Sequence, residues 1–331
     1  MTIYLVILTF LILTYAFLNG FHDSSTVVAT MIASRATSTK IALLIAAIGN
    51  FAGPFILGTA VAKTLGEGLF NLYSFKIETI LFALISAITW SIITWYFAIP
   101  SSSSHTIIGA ILGASIIFNG ASSIRLGELY KILIFLLLSP VIGYIFGYIN
   151  SKITHLLLKN ASPRINRTLK ILQIPLSSVV AVSHGANDSQ KTTSLMAMVF
   201  FILGISSRFE IPIWMIAANA AAISIGTVAG GRRIIKTLGQ RIYKIRPING
   251  FSAQLSSAIV ISTSSILGGP VSSTHIVTSS IVGAGASERI NKIRWTTLNK
   301  IIFVLFTTIP ASAVFSVLLS YLYILVKGWL S

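Results

Sequence analysis

The 331-residue chain has no cysteine. Disulfides and thiolate metal centres are therefore excluded, and the redox compartment cannot be read from thiol usage. Charge is scarce as well: charged residues make up 9% of the chain, against about 25% in an ordinary soluble domain. Acid is scarcest of all, with 7 Asp and Glu against 24 Lys and Arg. No stretch is long and polar enough to form a separate soluble domain. Segments of about ten residues with alternating polarity, the mark of an outer-membrane barrel, are missing too. What the chain does have is hydrophobic residues, 54% of the total, gathered in repeated runs of about twenty, the length that crosses a hydrocarbon core as a helix. The first run, Ile3 to Leu18, lacks a basic leader and a small-residue cleavage site, so it reads as a retained helix rather than a signal peptide.

These features predict an all-α polytopic membrane protein. The expected crossings, about ten, are 3–33, 41–62, 77–98, 100–118, 126–150, 171–203, 209–230, 250–269, 270–286 and 295–325. The first and sixth carry polar residues midway and exceed one straight span, which predicts broken helices there. The net charge of +17 could suggest nucleic acid, but the basic residues sit in short loops between apolar runs. With both termini outside, seventeen Lys and Arg fall in inside loops or the crossing ends beside them and six in the outside equivalents, as the positive-inside rule requires. The expected setting is the plasma membrane, with lipid as a partner and no nucleic acid. The basic loops near 151–170 and 231–246 read as topology determinants lying close to anionic headgroups.

The sequence repeats itself in order. Asn19-Gly20-Phe21-His22-Asp23 matches His184-Gly185-Ala186-Asn187-Asp188; Lys63-Thr64-Leu65-Gly66 recurs as Lys236-Thr237-Leu238-Gly239; and the run from Pro100 (PSSSSHTI) recurs from Pro270 (PVSSTHIV). Five crossings per half is an odd number, so the second half enters the membrane inverted, a construction that places transporter sites at the midplane between repeats. The expected organisation is a first inverted repeat at 1–150, a basic cytoplasmic linker at 151–170 and a second inverted repeat at 171–331.

Only two acids, Asp23 and Asp188, fall in the interior of the predicted crossings rather than at their ends, and they occupy equivalent positions. An intramembrane carboxylate marks an ion or substrate path by default, although a structural carboxylate neutralised by Lys191 or capping a helix is the alternative. The second constellation is Ser102, Ser103 and Ser104 with Ser272, Ser273 and Thr274. Hydroxyls after a proline start helices, and helix N-termini bind oxyanions. Plain N-capping with tight packing would explain either run alone; the matched pair favours an anion cage. His22, His105, His184 and His275 accompany the motifs, as hydrogen-bonding partners or as metal ligands. An intramembrane serine hydrolase is disfavoured, because adjacent Ser104 and His105 do not face each other on a helix.

At NGFHD…VVAT, WYFAIPSSSSHTIIGAILGA, SHGANDSQK and PVSSTHIVTSSIVGA the chain resembles the inorganic phosphate transporter (PiT) family, in its bacterial low-affinity branch. The resemblance runs nearly end to end. It implies a transporter rather than an enzyme, without a bound cofactor, that imports phosphate by proton symport. A divalent metal can then accompany the cargo as a neutral metal-phosphate complex. It also implies that Asp23, Asn187 and Asp188 form the coupling or substrate centre, with the hydroxyl runs around the anion; a homodimer is a candidate assembly. Sodium-coupled members typically carry asparagine three residues after each motif aspartate. Here those positions are Thr26 and Lys191, and His22 replaces the first motif's asparagine. Loss of amide oxygens and gain of an ammonium oppose sodium binding. Sulfate or another oxyanion, and sodium coupling, remain the alternatives.

Overall fold

The computed structural model describes residues 2–330 of the chain. It is all-helical: twelve α-helices are found among the described residues, and the single β contact is an isolated bridge between Phe70 and Ile124. Four helices are long, namely α1 (Thr2–Ala33), α6 (Leu126–Leu157), α7 (Ile165–Ile202) and α12 (Trp295–Leu330). Of middle length are α2 (Thr39–Leu57), α4 (Ile77–Tyr96), α8 (Ile213–Ala229) and α10 (Pro247–Ile266). The pair α5 (Ser103–Phe118) and α11 (Ser273–Glu288) has 16 residues each, about 24 Å at 1.5 Å per residue. Two short helices, α3 (Ala60–Lys63) and α9 (Arg232–Lys236), each run into a π-helical turn, Thr64–Gly68 and Thr237–Arg241. The repeated Lys-Thr-Leu-Gly sequence thus takes the same irregular form twice. Six helices among the described residues have the length and hydropathy of a membrane span, or seven if α8 and the segment after its 64° bend are one. Helices α6 and α7 extend into the expected linker and leave only residues 158–164 between them.

One expectation is corrected here. The first and sixth crossings are unbroken helices of 32 and 38 residues. Their motif glycines serve close approach instead: a Cβ on Gly20 would lie 1.9 Å from the carbonyl oxygen of Ile223 in α8, and one on Gly185 2.3 Å from that of Asn50 in α2. Backbones this close need a residue without a side chain, as at other small-residue helix crossings. The breaks fall elsewhere, at Gly58 after α2 and Gly230 after α8, both with positive φ.

The helices pack in matched pairs. Helix α1 lies on α8 and α7 on α2; α5 lies on α12 and α11 on α6; α4 contacts α1 and α5, as α10 contacts α7 and α11. Two apolar clusters flank the centre. One joins Leu8, Ile12 and Tyr15 of α1 to Leu195–Val199 of α7. The other joins Val27, Val28, Ala29 and Met31 of α1 to Val180 and Ala181 of α7. The start of α1 therefore meets the end of α7, and the two run antiparallel. Between the clusters both helices are polar yet buried, over His22–Thr26 and Ser183–Ser194. The polar midsection is where the site lies.

Candidate functional site

Helices α5 and α11 both start at this polar midsection. Each is capped alike: the Ser102 hydroxyl accepts from the backbone N–H of His105, and that of Ser272 from His275, both at 3.2 Å. The capping predicted from the Pro-Ser pattern is thus present. It positions the next hydroxyls against the aspartates of α1 and α7.

Asp23 and Asp188 are fully buried. Asp23 accepts from Ser103 at 2.9 Å and, across the two halves, from Thr274 at 2.8 Å. Asp188 accepts from Ser273 at 3.1 Å and is ion-paired with Lys191. The Lys191 ammonium also donates to Ser104 Oγ and, at 3.2 Å, to the carbonyl of Val271; Ser104 in turn donates to that carbonyl at 2.9 Å. One cation is thus held by a carboxylate, a hydroxyl and a backbone carbonyl. The structure brings together Asp23, Asp188, Lys191, Ser103, Ser104, Ser273 and Thr274 directly, with Ser102 and Ser272 as caps behind them.

Two expected residues stand further off. Asn187 points at the segment before α11, donating to Gly269 O at 3.3 Å, while its own carbonyl oxygen has no protein partner. His22 lies 3.6 Å from Asp23 Oδ1 through Nδ1 and 3.4 Å from Thr94 Oγ1 through Nε2. Thr26, which matches Lys191 in the repeat, turns its hydroxyl onto the Asp23 carbonyl of its own helix. The two halves share a frame, and their chemistry is not symmetric.

His184, expected from the sequence only as one of four motif histidines that bond neighbours or a metal, lies beside Asp188. Its Nε2 lies 2.9 Å from Asp188 Oδ2, without the alignment of a full hydrogen bond. Its Nδ1 lies 3.1 Å from Asn50 Oδ1, and Asn50 donates onward to Thr227 at 2.8 Å. The i, i+4 spacing of His184 and Asp188 was a usable signal; nothing in the sequence singled out Asn50 or Thr227. Asp23, His184 and Asp188 also present ligand atoms within 4.8 Å of one another. The ammonium already on Asp188 would repel a resident dication there, so the group does not fit a permanent metal centre. The Ser–His contact of the region, Ser102 to His105 Nδ1 at 2.7 Å, belongs to a helix cap with both residues buried. Space is minimal: a cavity of about 20 Å³ adjoins Lys191, little more than one water.

Buried paired carboxylates, converging helix starts and a tethered ammonium, all inside a bundle of apolar helices, define a membrane transporter. Residues 19–164 and 155–316 match the phosphate transporter family, and the chain belongs to it. It is 39% identical to a "probable low-affinity inorganic phosphate transporter" of Bacillus subtilis, over 93% of this chain and 95% of the relative. A protein of the same description from Rhizobium meliloti is 38% identical over 92% of both chains. A solved structure described as "the sodium-dependent phosphate transporter" has the same fold, with a TM-score of 0.86 and 21% identity over 98% of this chain and all of that one. The family and these relatives are transporters, not enzymes.

Proposed function

We propose that the chain imports inorganic phosphate across the plasma membrane by proton symport. The observation that carries this reading is that Ser103, Thr274 and Ser273, the hydroxyls suited to an oxyanion, are bonded to Asp23 and Asp188. Here the carboxylates stand in for the substrate's oxygens. Neutralising them with protons weakens their hold on the hydroxyls, which then turn to phosphate at the converging N-termini of α5 and α11. Binding of one favours binding of the other, which is the thermodynamic requirement for symport. Lys191 supplies the fixed positive charge at Asp188, and His22 and Asn187 frame the two aspartates. The ammonium takes the oxygens that a free sodium ion would need.

Phosphate is preferred over sulfate because it retains a proton at neutral pH and can donate to a carboxyl oxygen of the aspartates, which accepts even in the neutral acid, whereas sulfate has no proton to donate. A divalent metal, where carried, travels with the cargo as a metal-phosphate complex. The antiparallel course of α1 and α7 and the matched helix pairs support two inverted repeats, 1–150 and 171–331, joined by the basic segment 151–170, with about ten crossings and both termini outside. The assembly proposed is a homodimer.

The test is uptake of labelled phosphate into proteoliposomes with proton and sodium gradients imposed separately and sulfate as competitor. An inward proton gradient should drive accumulation, and replacing sodium by choline should not change it. Accumulation on a sodium gradient with pH clamped would overturn proton coupling; equal competition by sulfate would overturn the choice of cargo.

A further inference from the structure

A cavity of about 470 Å³ lies behind the helix starts, away from the aspartates, between α6, α11 and α12 and the first turn of α5. No Asp, Glu, Lys or Arg is found among the described residues that line it. Its rim includes Leu137, Val141 and Tyr144 of α6 and Trp295, Ile302 and Phe306 of α12, each between 37% and 64% exposed. Its inner wall includes Leu136, Leu298, Ile301 and Leu305, all buried. The cavity thus opens on the apolar outer face of the bundle, which is bilayer-facing in a membrane protein. Along α12 it runs from Trp295 to Ile309, about 21 Å of helix. One leaflet of hydrocarbon is about 15 Å deep, so the slot has the length of a single alkyl chain.

Its polar atoms are few. Both ring nitrogens of His275 and the Thr278 hydroxyl are buried and have no hydrogen-bond partner within the protein. The two residues are one helical turn apart on α11, and both line the cavity. The His275 ring lies 4.3 Å from that of His105, centroid to centroid. A neutral imidazole needs an acceptor for its N–H and a donor for its bare nitrogen, and a hydroxyl supplies both. An apolar slot with a small convergent polar group is the usual form of a ligand site. The absence of charged lining residues excludes an anionic headgroup from the slot.

We infer that this cavity binds an uncharged, single-chain lipid bearing a hydroxyl, of the long-chain alcohol or monoglyceride class, with the hydroxyl on His275 and Thr278 and the chain along α12. Such a ligand holds the first turns of α11, whose Ser273 and Thr274 bond the two aspartates.

The experiment is photolabelling of the full chain in proteoliposomes with hexadecanol bearing a mid-chain diazirine, beside the matching diazirine hydrocarbon, with adducts mapped by mass spectrometry. The alcohol should label residues of the slot, in competition with unlabelled monoolein. It should exceed the hydrocarbon by roughly three- to tenfold, as one or two neutral hydrogen bonds provide. His275→Phe with Thr278→Val should reduce the alcohol to the level of the hydrocarbon, and Val141→Trp should exclude both. Equal labelling by the two probes, spread over the outer faces of α6 and α12, would mean annular lipid only and would overturn the inference. Absence of slot adducts, with α6 and α12 cross-linked to a second copy instead, would overturn it as well. If the double variant does not fold, failure of monoolein to compete in the wild-type protein decides against the inference. None of these readings depends on phosphate transport.

Discussion

Lys191→Asn tests the charge balance of the site. In the wild-type protein the Lys191 side chain is buried, and its ammonium meets Asp188, Ser104 and the Val271 carbonyl. Asparagine removes the charge and leaves Asp188 with the Ser273 hydroxyl and the His184 ring. Deleting one partner of a buried ion pair costs about 3–5 kcal/mol, and a hydrogen bond from the new amide would return about 1 kcal/mol. The net loss should be about 2–4 kcal/mol. The shorter side chain also frees a carboxylate, a hydroxyl and a carbonyl oxygen around a space suited to a small cation. Sodium bound there would restore about 2.7 kcal/mol at one hundred times its Kd. The assay is thermal unfolding of purified protein in sodium chloride and in choline chloride at equal ionic strength, with uptake measured in parallel. Wild type should melt alike in both salts; Lys191→Asn should melt lower in choline and recover in part in sodium. A variant as stable as wild type in choline, or a wild type stabilised by sodium, would refute the reasoning.

Ser103→Ala and Ser273→Ala each remove a hydroxyl proposed to pass from carboxylate to phosphate. Each should weaken phosphate binding about tenfold or more, at roughly 1.5–3 kcal/mol per charged contact, in equilibrium binding measurements; unchanged affinity in both would move the anion elsewhere. Asp188→Asn should abolish accumulation driven by a proton gradient while exchange of internal for external phosphate survives, and accumulation at the wild-type rate would exclude Asp188 from coupling. Gly20→Ala places a methyl 1.9 Å from the Ile223 carbonyl, so it should lower the yield of folded protein, read by size-exclusion profile, far more than Gly127→Ala, where a Cβ meets nothing within 4 Å. Single cysteines placed at 158–164, in a chain that has none, should be blocked by an impermeant thiol reagent only after cells are opened; efficient labelling of intact cells would invert the proposed topology.

The sequence alone determined the class and the cast. Apolar runs of spanning length without the alternation of a barrel leave the backbone no option but helix, the spanning structure that bonds each peptide group within its own segment. Two membrane acids in a chain with so few acids stood out by cost alone, and the Pro-Ser pattern specified the starts of α5 and α11 through capping, which is local chemistry. Tertiary structure decided the rest. Whether Gly20 breaks a helix or seats one depends on what crosses it, and the crossing partner is Ile223, two hundred residues away. Thr274 reaches Asp23 over 251 positions, and Lys191 reaches Ser104 over 87. Periodicity and spacing report only neighbours along one helix, so no pattern in either segment encoded these bonds. Asn50 went unread for the same reason, and so did its contact with His184 across 134 positions: a polar side chain gains a role only when packing sets its partner opposite it, in an interior where an unpaired polar group is costly.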